Sequence, residues 1–241
     1  NFELIDSVDP KNALVNIDNP LIAEKLKDFR YKSVKTFSLN PQSDADFLLT
    51  DFKMDSHGTT LTIHSSIDQL GHQFIAPVFG SSNLVNLTAA ISMALMLKVP
   101  IKHISGGLKY VTPSPHRLQL VEINKSIVID DSYSSNVDGF ENVINDLSNQ
   151  KGKKAIITPG VVELGQLTKG FHLNTGKRIA DVFDHAFLVG KSDRTDYLRQ
   201  GINDKIPTTN LETDINIWEL CQKLSESYDW ILIENDLPEN Y

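Results

Sequence analysis

The chain has 241 residues, 40% apolar and 22% charged. At about 150 residues per domain that is one large domain or two smaller ones, and the composition excludes collagen-like, coiled-coil and wholly disordered chains. Twenty-three basic against 31 acidic residues leave a net charge of −8, so nothing in the bulk electrostatics favours a nucleic-acid or membrane-surface partner, and an anionic ligand has to be captured locally. Cys221 is the only cysteine and forms no internal disulfide, as expected of a reducing, cytoplasmic compartment. The longest apolar stretches, such as residues 87–97, fall short of the roughly 20 residues of a membrane span. The opening Asn1-Phe2-Glu3 lacks the basic-then-apolar run of a signal segment.

Along the chain, Ala13-Leu14-Val15-Asn16-Ile17 reads as a buried strand, and Asp18 or Asn19 before Pro20 starts a helix over residues 21–29. Residues 33–39, 47–53, 59–64 and 73–79 follow as β-rich stretches, with turns at Ser56-His57-Gly58 and residues 68–71. Antiparallel hairpins are their simplest arrangement. After Gly80-Ser81-Ser82, residues 83–98 predict a helix with apolar or small positions on nearly all faces, hence a buried one. A seam lies near Pro113 and Pro115. Beyond it strands and helices alternate, the mark of a parallel α/β sheet. Strands are expected over residues 118–123, 126–130, 154–158, 185–189 and 230–234, and helices over 137–147, 173–182, 193–200 and 215–225.

A phosphate-binding P-loop is absent from this sequence. Gly190-Lys191-Ser192 imitates its end, but His185 stands where the first glycine belongs and the residues between are strand formers, whose amides are committed to a sheet ladder. The histidines are scattered, with His57, His64 and His72 in the hairpin region, and Cys221 has no cysteine partner, so no metal site is expected. The richest stretch is Ile127-Val128-Ile129-Asp130-Asp131-Ser132-Tyr133-Ser134-Ser135-Asn136, a buried strand running into polar residues and then a helix. Ligands of open α/β sheets bind at such strand ends. Asp131 suits a grip on ribose hydroxyls, and Ser135 and Asn136 sit at a helix start that attracts anions. Helix capping plus a turn accounts for the same residues equally well. A second loop of this kind is Thr158-Pro159-Gly160-Val161-Val162-Glu163-Leu164-Gly165, where Glu163 either orients an amine or is simply solvated.

Together these stretches resemble the Mur ligase family, ATP-dependent enzymes that add amino acids to the peptidoglycan precursor. Gly80-Ser81-Ser82-Asn83-Leu84-Val85-Asn86-Leu87-Thr88-Ala89-Ala90 resembles the family's Gly-x-His-Asn-x-x-Asn-x-x-Ala-Ala, with Ser82 in place of histidine. Pro115-His116-Arg117-Leu118 resembles Pro-Gly-Arg-Leu, and Asp130 to Asn136 resembles Asp-Asp-Ser-Tyr-Asn-Ala-Asn. Glu163-Leu164-Gly165 with His172 resembles the member that adds D-alanyl-D-alanine. The usual Lys-Gly-Ser near the C-terminus is replaced by Ile231-Leu232-Ile233-Glu234-Asn235-Asp236-Leu237-Pro238.

The resemblance implies an α/β fold. A partial central ATPase domain with β-hairpins and a buried helix would occupy residues 1–113, and a Rossmann-like C-terminal domain residues 114–241. In the family the P-loop, the magnesium ligands and a carbamylated lysine precede the segment that Ala13 to Pro20 resembles, so the chain is expected to be a fragment, inactive alone. The cofactors implied are ATP and Mg2+, and the partners a UDP-muramoyl peptide and an amino acid or dipeptide. Asn83 and Asn86 would read the adenine edge, Arg117 would contact phosphates and Asp131 the ribose. Glu163 and His172 would shape the amino-substrate side. The rival reading is a non-catalytic binding or regulatory module that kept the fold without the ATPase half.

Overall fold

The computed structural model describes residues 2–133 and 136–234, which form two compact units, 1–111 and 112–241. The first unit begins with α1 (Phe2–Asp6), β1 (Leu14–Asn16) and α2 (Pro20–Lys25). The Asn19 side chain caps α2 by accepting from Leu21 N–H, and Pro20 fills a first-turn position that needs no N–H. A sheet then continues through β2 (Lys35–Ser38), β3 (Phe47–Asp55), β4 (Gly58–Ser65) and β5 (Leu70–Ala76), in the order β1-β2-β3-β4-β5.

The hairpins expected here are β3–β4 and β4–β5, both antiparallel. Residues 33–39 do not join them. β2 runs parallel to β1 and to β3, meeting β3 only at Phe37–Phe47 and Ser38–Leu48. The Asp46 carboxylate fastens that return, accepting from Thr36 N–H at 3.0 Å and pairing with Lys35 Nζ at 2.6 Å. Alternate residues of β4 turn Leu61 and Ile63 onto a core with Phe47, Leu49 and Phe74. The helices α3 (Ser81–Met96) and α4 (Ile101–Leu108) close that core with Leu84, Leu87, Ile91, Ile104 and Leu108. One stripe of α3, Ser82, Asn86 and Ala90, stays exposed.

The second unit is a six-stranded sheet in the order β10-β9-β8-β11-β7-β6. Its elements are β6 (Gln119–Ile123), β7 (Ser126–Asp131), α5 (Val137–Ser148), β8 (Lys154–Thr158), α6 (Thr168–Val182), β9 (His185–Val189), α7 (Asp193–Ile202), β10 (Thr208–Leu211), α8 (Ile217–Leu224) and β11 (Trp230–Glu234). All pairings are parallel except β6–β7. Val128, Ala155, Ile157, Phe187, Ile231 and Ile233 pack with Ile217 and Cys221 of α8. Their neighbours Ile129, Ile156, Leu188 and Leu232 face the other way and are equally buried. Burial on both faces is why these strands read as unbroken apolar runs, each such side chain contributing about 1.5–3 kcal/mol. α6 and α7 approach closely at Gly176 and Gly201, where an added Cβ would sit 2.3 Å from the facing helix's backbone. No helix among the described residues is long and apolar enough to cross a membrane.

Candidate functional site

Two strand ends of the second unit carry most of the chemistry. They lie on the same edge of the sheet, separated by β11, about 10 Å at 4.8 Å per strand.

At the end of β7, Asp130 and Asp131 are only 2% and 8% exposed. Asp130 accepts from His116 Nδ1 at 2.8 Å through one oxygen and from Ser132 Oγ at 2.6 Å through the other. Asp131 accepts from Leu118 N–H at 3.1 Å. Burial pushes the Asp131 carboxyl up to about 6; the Leu118 amide and the Arg117 charge pull it back, and the Asp130 carboxylate adds to the rise. Arg117 is exposed, and its guanidinium lies 4.7 Å from the centroid of the Tyr133 ring, a cation–π contact that braces the planar group. Asn136 realises the capping alternative. It is the N-cap of α5, its side-chain oxygen accepting from Gly139 N–H at 2.8 Å. Ser135 lies outside the described residues.

At the end of β8 the chain turns through Gly160, whose φ of +81° and missing Cβ let the loop lie against His172; a Cβ there would stand 2.7 Å from the imidazole Nε2. His172 is completely buried. Its Nε2 accepts from Val161 N–H at 3.0 Å, which leaves the proton on Nδ1, donated to the Thr168 carbonyl at 2.6 Å. Burial holds the imidazole below its usual range. With both nitrogens engaged, His172 presents none to an amino substrate. The expected contact is replaced by a buckle between the loop and α6. Glu163, by contrast, is exposed, sits at φ +61° and has no side-chain hydrogen bond or ion pair among the described residues. That left-handed backbone is one that residues bearing a Cβ avoid.

In the first unit, Asn83 and Asn86 lie in the first half of α3. Asn83 donates to the Phe79 carbonyl at 2.8 Å and is half-buried. Asn86 is exposed rather than tied to a neighbouring loop, so its carboxamide is open to a ligand. His57 lies in the turn between β3 and β4, His64 on β4 and His72 on β5. Among the described residues no three metal-ligating side chains gather. Gly190-Lys191-Ser192 is the strand-end turn expected, with Ser192 capping α7.

Sequence reasoning missed the His116–Asp130 pair and the Arg117–Tyr133 stack. The available signal was a histidine standing where the resembled pattern has glycine, ahead of a doubled aspartate at a strand end.

Two family models match the chain: Mur ligase middle domain over residues 1–94, and Mur ligase, glutamate ligase domain, over residues 116–234. The UDP-N-acetylmuramoyl-tripeptide–D-alanyl-D-alanine ligase of Buchnera aphidicola subsp. Acyrthosiphon pisum (strain APS) is 29% identical over 177 residues, 72% of this chain and 38% of that protein. MurF from Acinetobacter baumannii matches in structure with a TM-score of 0.74 at 20% identity, over 95% of this chain and 50% of that one. The MurF ligase of Thermotoga maritima in complex with ADP matches with a TM-score of 0.71 at 19% identity, over 94% and 50%. The chain spans half the length, or less, of these three proteins.

Proposed function

The chain belongs to the Mur ligase family, and from that premise we propose that it is part of an ATP-dependent amide-forming ligase of peptidoglycan precursor synthesis, which adds D-alanyl-D-alanine or a similar amine to a UDP-muramoyl peptide. In this reading residues 1–113 are the end of the ATP-binding middle domain and 114–241 the C-terminal domain. The P-loop and magnesium ligands belong to sequence outside this chain, and the reaction takes place in the cytoplasm, where ATP is available. The observation that carries the reading is the grouping of Arg117, Asp131 and the start of α5 at the C-terminal end of the inner strand β7, where open α/β sheets take their ligands.

These residues fit a nucleotide. The one Asp131 oxygen not used by Leu118 N–H is an acceptor for a ribose hydroxyl. Arg117 is braced on an aromatic face beside it, suited to phosphate oxygens. In the first unit, taken by itself, the exposed Asn86 carboxamide offers the paired donor and acceptor that an adenine edge requires, while Asn83 has one N–H committed to the Phe79 carbonyl. ATP supplies the phosphoryl group that turns a carboxylate into an acyl phosphate, and this chain's residues orient the reactants and offset charge. Glu163, solvent-facing on the β8 loop, holds the ammonium of the incoming amine, and His172 keeps that loop in place from below.

The test is ligation by the complete protein. With ATP, UDP-N-acetylmuramoyl-tripeptide and D-alanyl-D-alanine, phosphate release should require both other substrates, and the product should gain the dipeptide's mass less one water. The 241-residue stretch alone should release no phosphate. Failure of the complete protein with every amino acid and dipeptide offered would refute the ligase reading.

A further inference from the structure

The residues on either side of Arg117 are tied to different carboxylates. His116 is bonded through Nδ1 to Asp130, and Leu118 through its N–H to Asp131. Both neighbours have left-handed backbones, φ +60° at His116 and +50° at Leu118, a region that residues bearing a Cβ avoid. Two such residues flanking one arginine persist only where the surroundings hold them. More of that hold is visible: the His116 carbonyl accepts from Tyr133 N–H at 3.2 Å, and Arg117 N–H donates to the Ser114 carbonyl at 3.1 Å. Asp130 is itself immobilised, buried at the strand end with its second oxygen taking both the Ser132 hydroxyl and the Ser132 N–H.

We infer that His116 is a positioning residue, whose pair with Asp130 locks the 116–118 turn and so sets the Arg117 guanidinium over Tyr133 in one place for an anionic ligand. The inference rests on the proposed role of Arg117 at the nucleotide phosphates. Where the resembled pattern has glycine, the left-handed backbone comes without strain but also without a fastening. Here a side chain supplies the fastening and the backbone bears the strain. Breaking the pair leaves the arginine's charge intact and frees its direction, so the loss appears as orientation. Asp130→Asn weakens it: His116 and Ser132 each use a separate carboxylate oxygen, and a carboxamide keeps a bond to His116 only by giving up the acceptor Ser132 uses or by shifting the imidazole tautomer, with the acceptor's charge lost either way.

The experiment uses the complete ligase, with ADP affinity measured by calorimetry and backbone amide exchange measured in the same variants. His116→Gly and Asp130→Asn should each weaken ADP binding about tenfold. The double variant should be no weaker than the poorer single, because both remove one bond. His116→Ala should be worse than His116→Gly, since it keeps the strain and loses the fastening, and His116→Asn, which tolerates the left-handed region and carries a donor, should recover part of the loss. Exchange at the Leu118 and Tyr133 amides should quicken while Val128 and Ile129 stay protected. If Arg117→Ala weakens ADP binding but His116→Gly and Asp130→Asn change neither affinity nor exchange, the positioning role is wrong and the phosphate reading stands. If Arg117→Ala binds ADP like the wild type while those amides still quicken, the phosphate reading falls, and with it the purpose assigned to the lock.

Discussion

The ends of β7 and β8 stand on one sheet edge, yet the chain secures them with opposite chemistry. At β7 buried carboxylates accept from the turn that carries Arg117. At β8 a buried neutral imidazole bridges the loop to a helix. The two fastenings answer to pH with opposite signs. Asp131 binds its proton more tightly folded than unfolded, having been raised from 3.8 to about 6. Between pH 4 and 6 the unfolded chain releases a proton that the folded chain keeps, so stability falls as pH rises through that window, by on the order of a few kcal/mol, and levels off above it. His172 is lowered from 6.5. Its contribution is present above pH 6.5 and lost as pH falls, because the unfolded chain takes up a proton that the folded one refuses. The buried titratable group at β7 is a carboxyl whose proton burial holds on, and the one at β8 is an imidazole whose proton burial keeps off.

The largest effect should come from breaking the β8 side. His172→Leu strands the buried Val161 N–H, at about 1–3 kcal/mol, and removes the side-chain bond to the Thr168 carbonyl, which keeps its helical partner in α6. Urea unfolding should show a loss of about 2–3 kcal/mol, with amide protection lost first around Val161 and kept at Leu118. Next is Asp131→Asn, which keeps an oxygen for Leu118 N–H and removes the titration. The fall between pH 4 and pH 6, on the order of a few kcal/mol, should vanish from urea midpoints taken across that range, and its survival would assign the slope to another group. Smallest is Glu163→Gly, which relieves a left-handed φ on an exposed residue. Its net stabilisation should be about 0.5 kcal/mol once the added freedom of the unfolded chain is counted, read as a small rise in Tm.

What the sequence made legible follows the same division. The parallel unit could be read because strands buried on both faces are continuous apolar runs between turn residues, as in Ala155-Ile156-Ile157 before Pro159-Gly160. β10 was missed because Thr208-Thr209-Asn210-Leu211 is a polar edge strand with one neighbour. α4 was missed because Gly106 and Gly107 dilute its helical pattern. Strand direction at β2 was illegible, since a period of two is the same for parallel and antiparallel pairing. In the candidate site, type and position at strand ends singled out Asp131 and Glu163, and the resemblance of Pro115-His116-Arg117-Leu118 singled out Arg117. The inward commitment of both His172 nitrogens was not, because it depends on a loop folded back over a helix by one left-handed glycine. The His116–Asp130 pair joins residues 14 apart through a turn whose left-handed backbone no propensity predicts.

The central claim, a nucleotide side at β7 and an amine side at β8, is met most directly by one crossed kinetic measurement. In the complete ligase, KM for ATP and KM for the amine are determined for Asp131→Ala and Glu163→Gln. Asp131→Ala should raise KM for ATP about tenfold or more, the loss of a charge-assisted hydrogen bond, and leave KM for the amine unchanged. Glu163→Gln should raise KM for the amine and leave that for ATP unchanged. Equal effects of either variant on both substrates, or the reverse pairing, would contradict the division of the sheet edge into two sides.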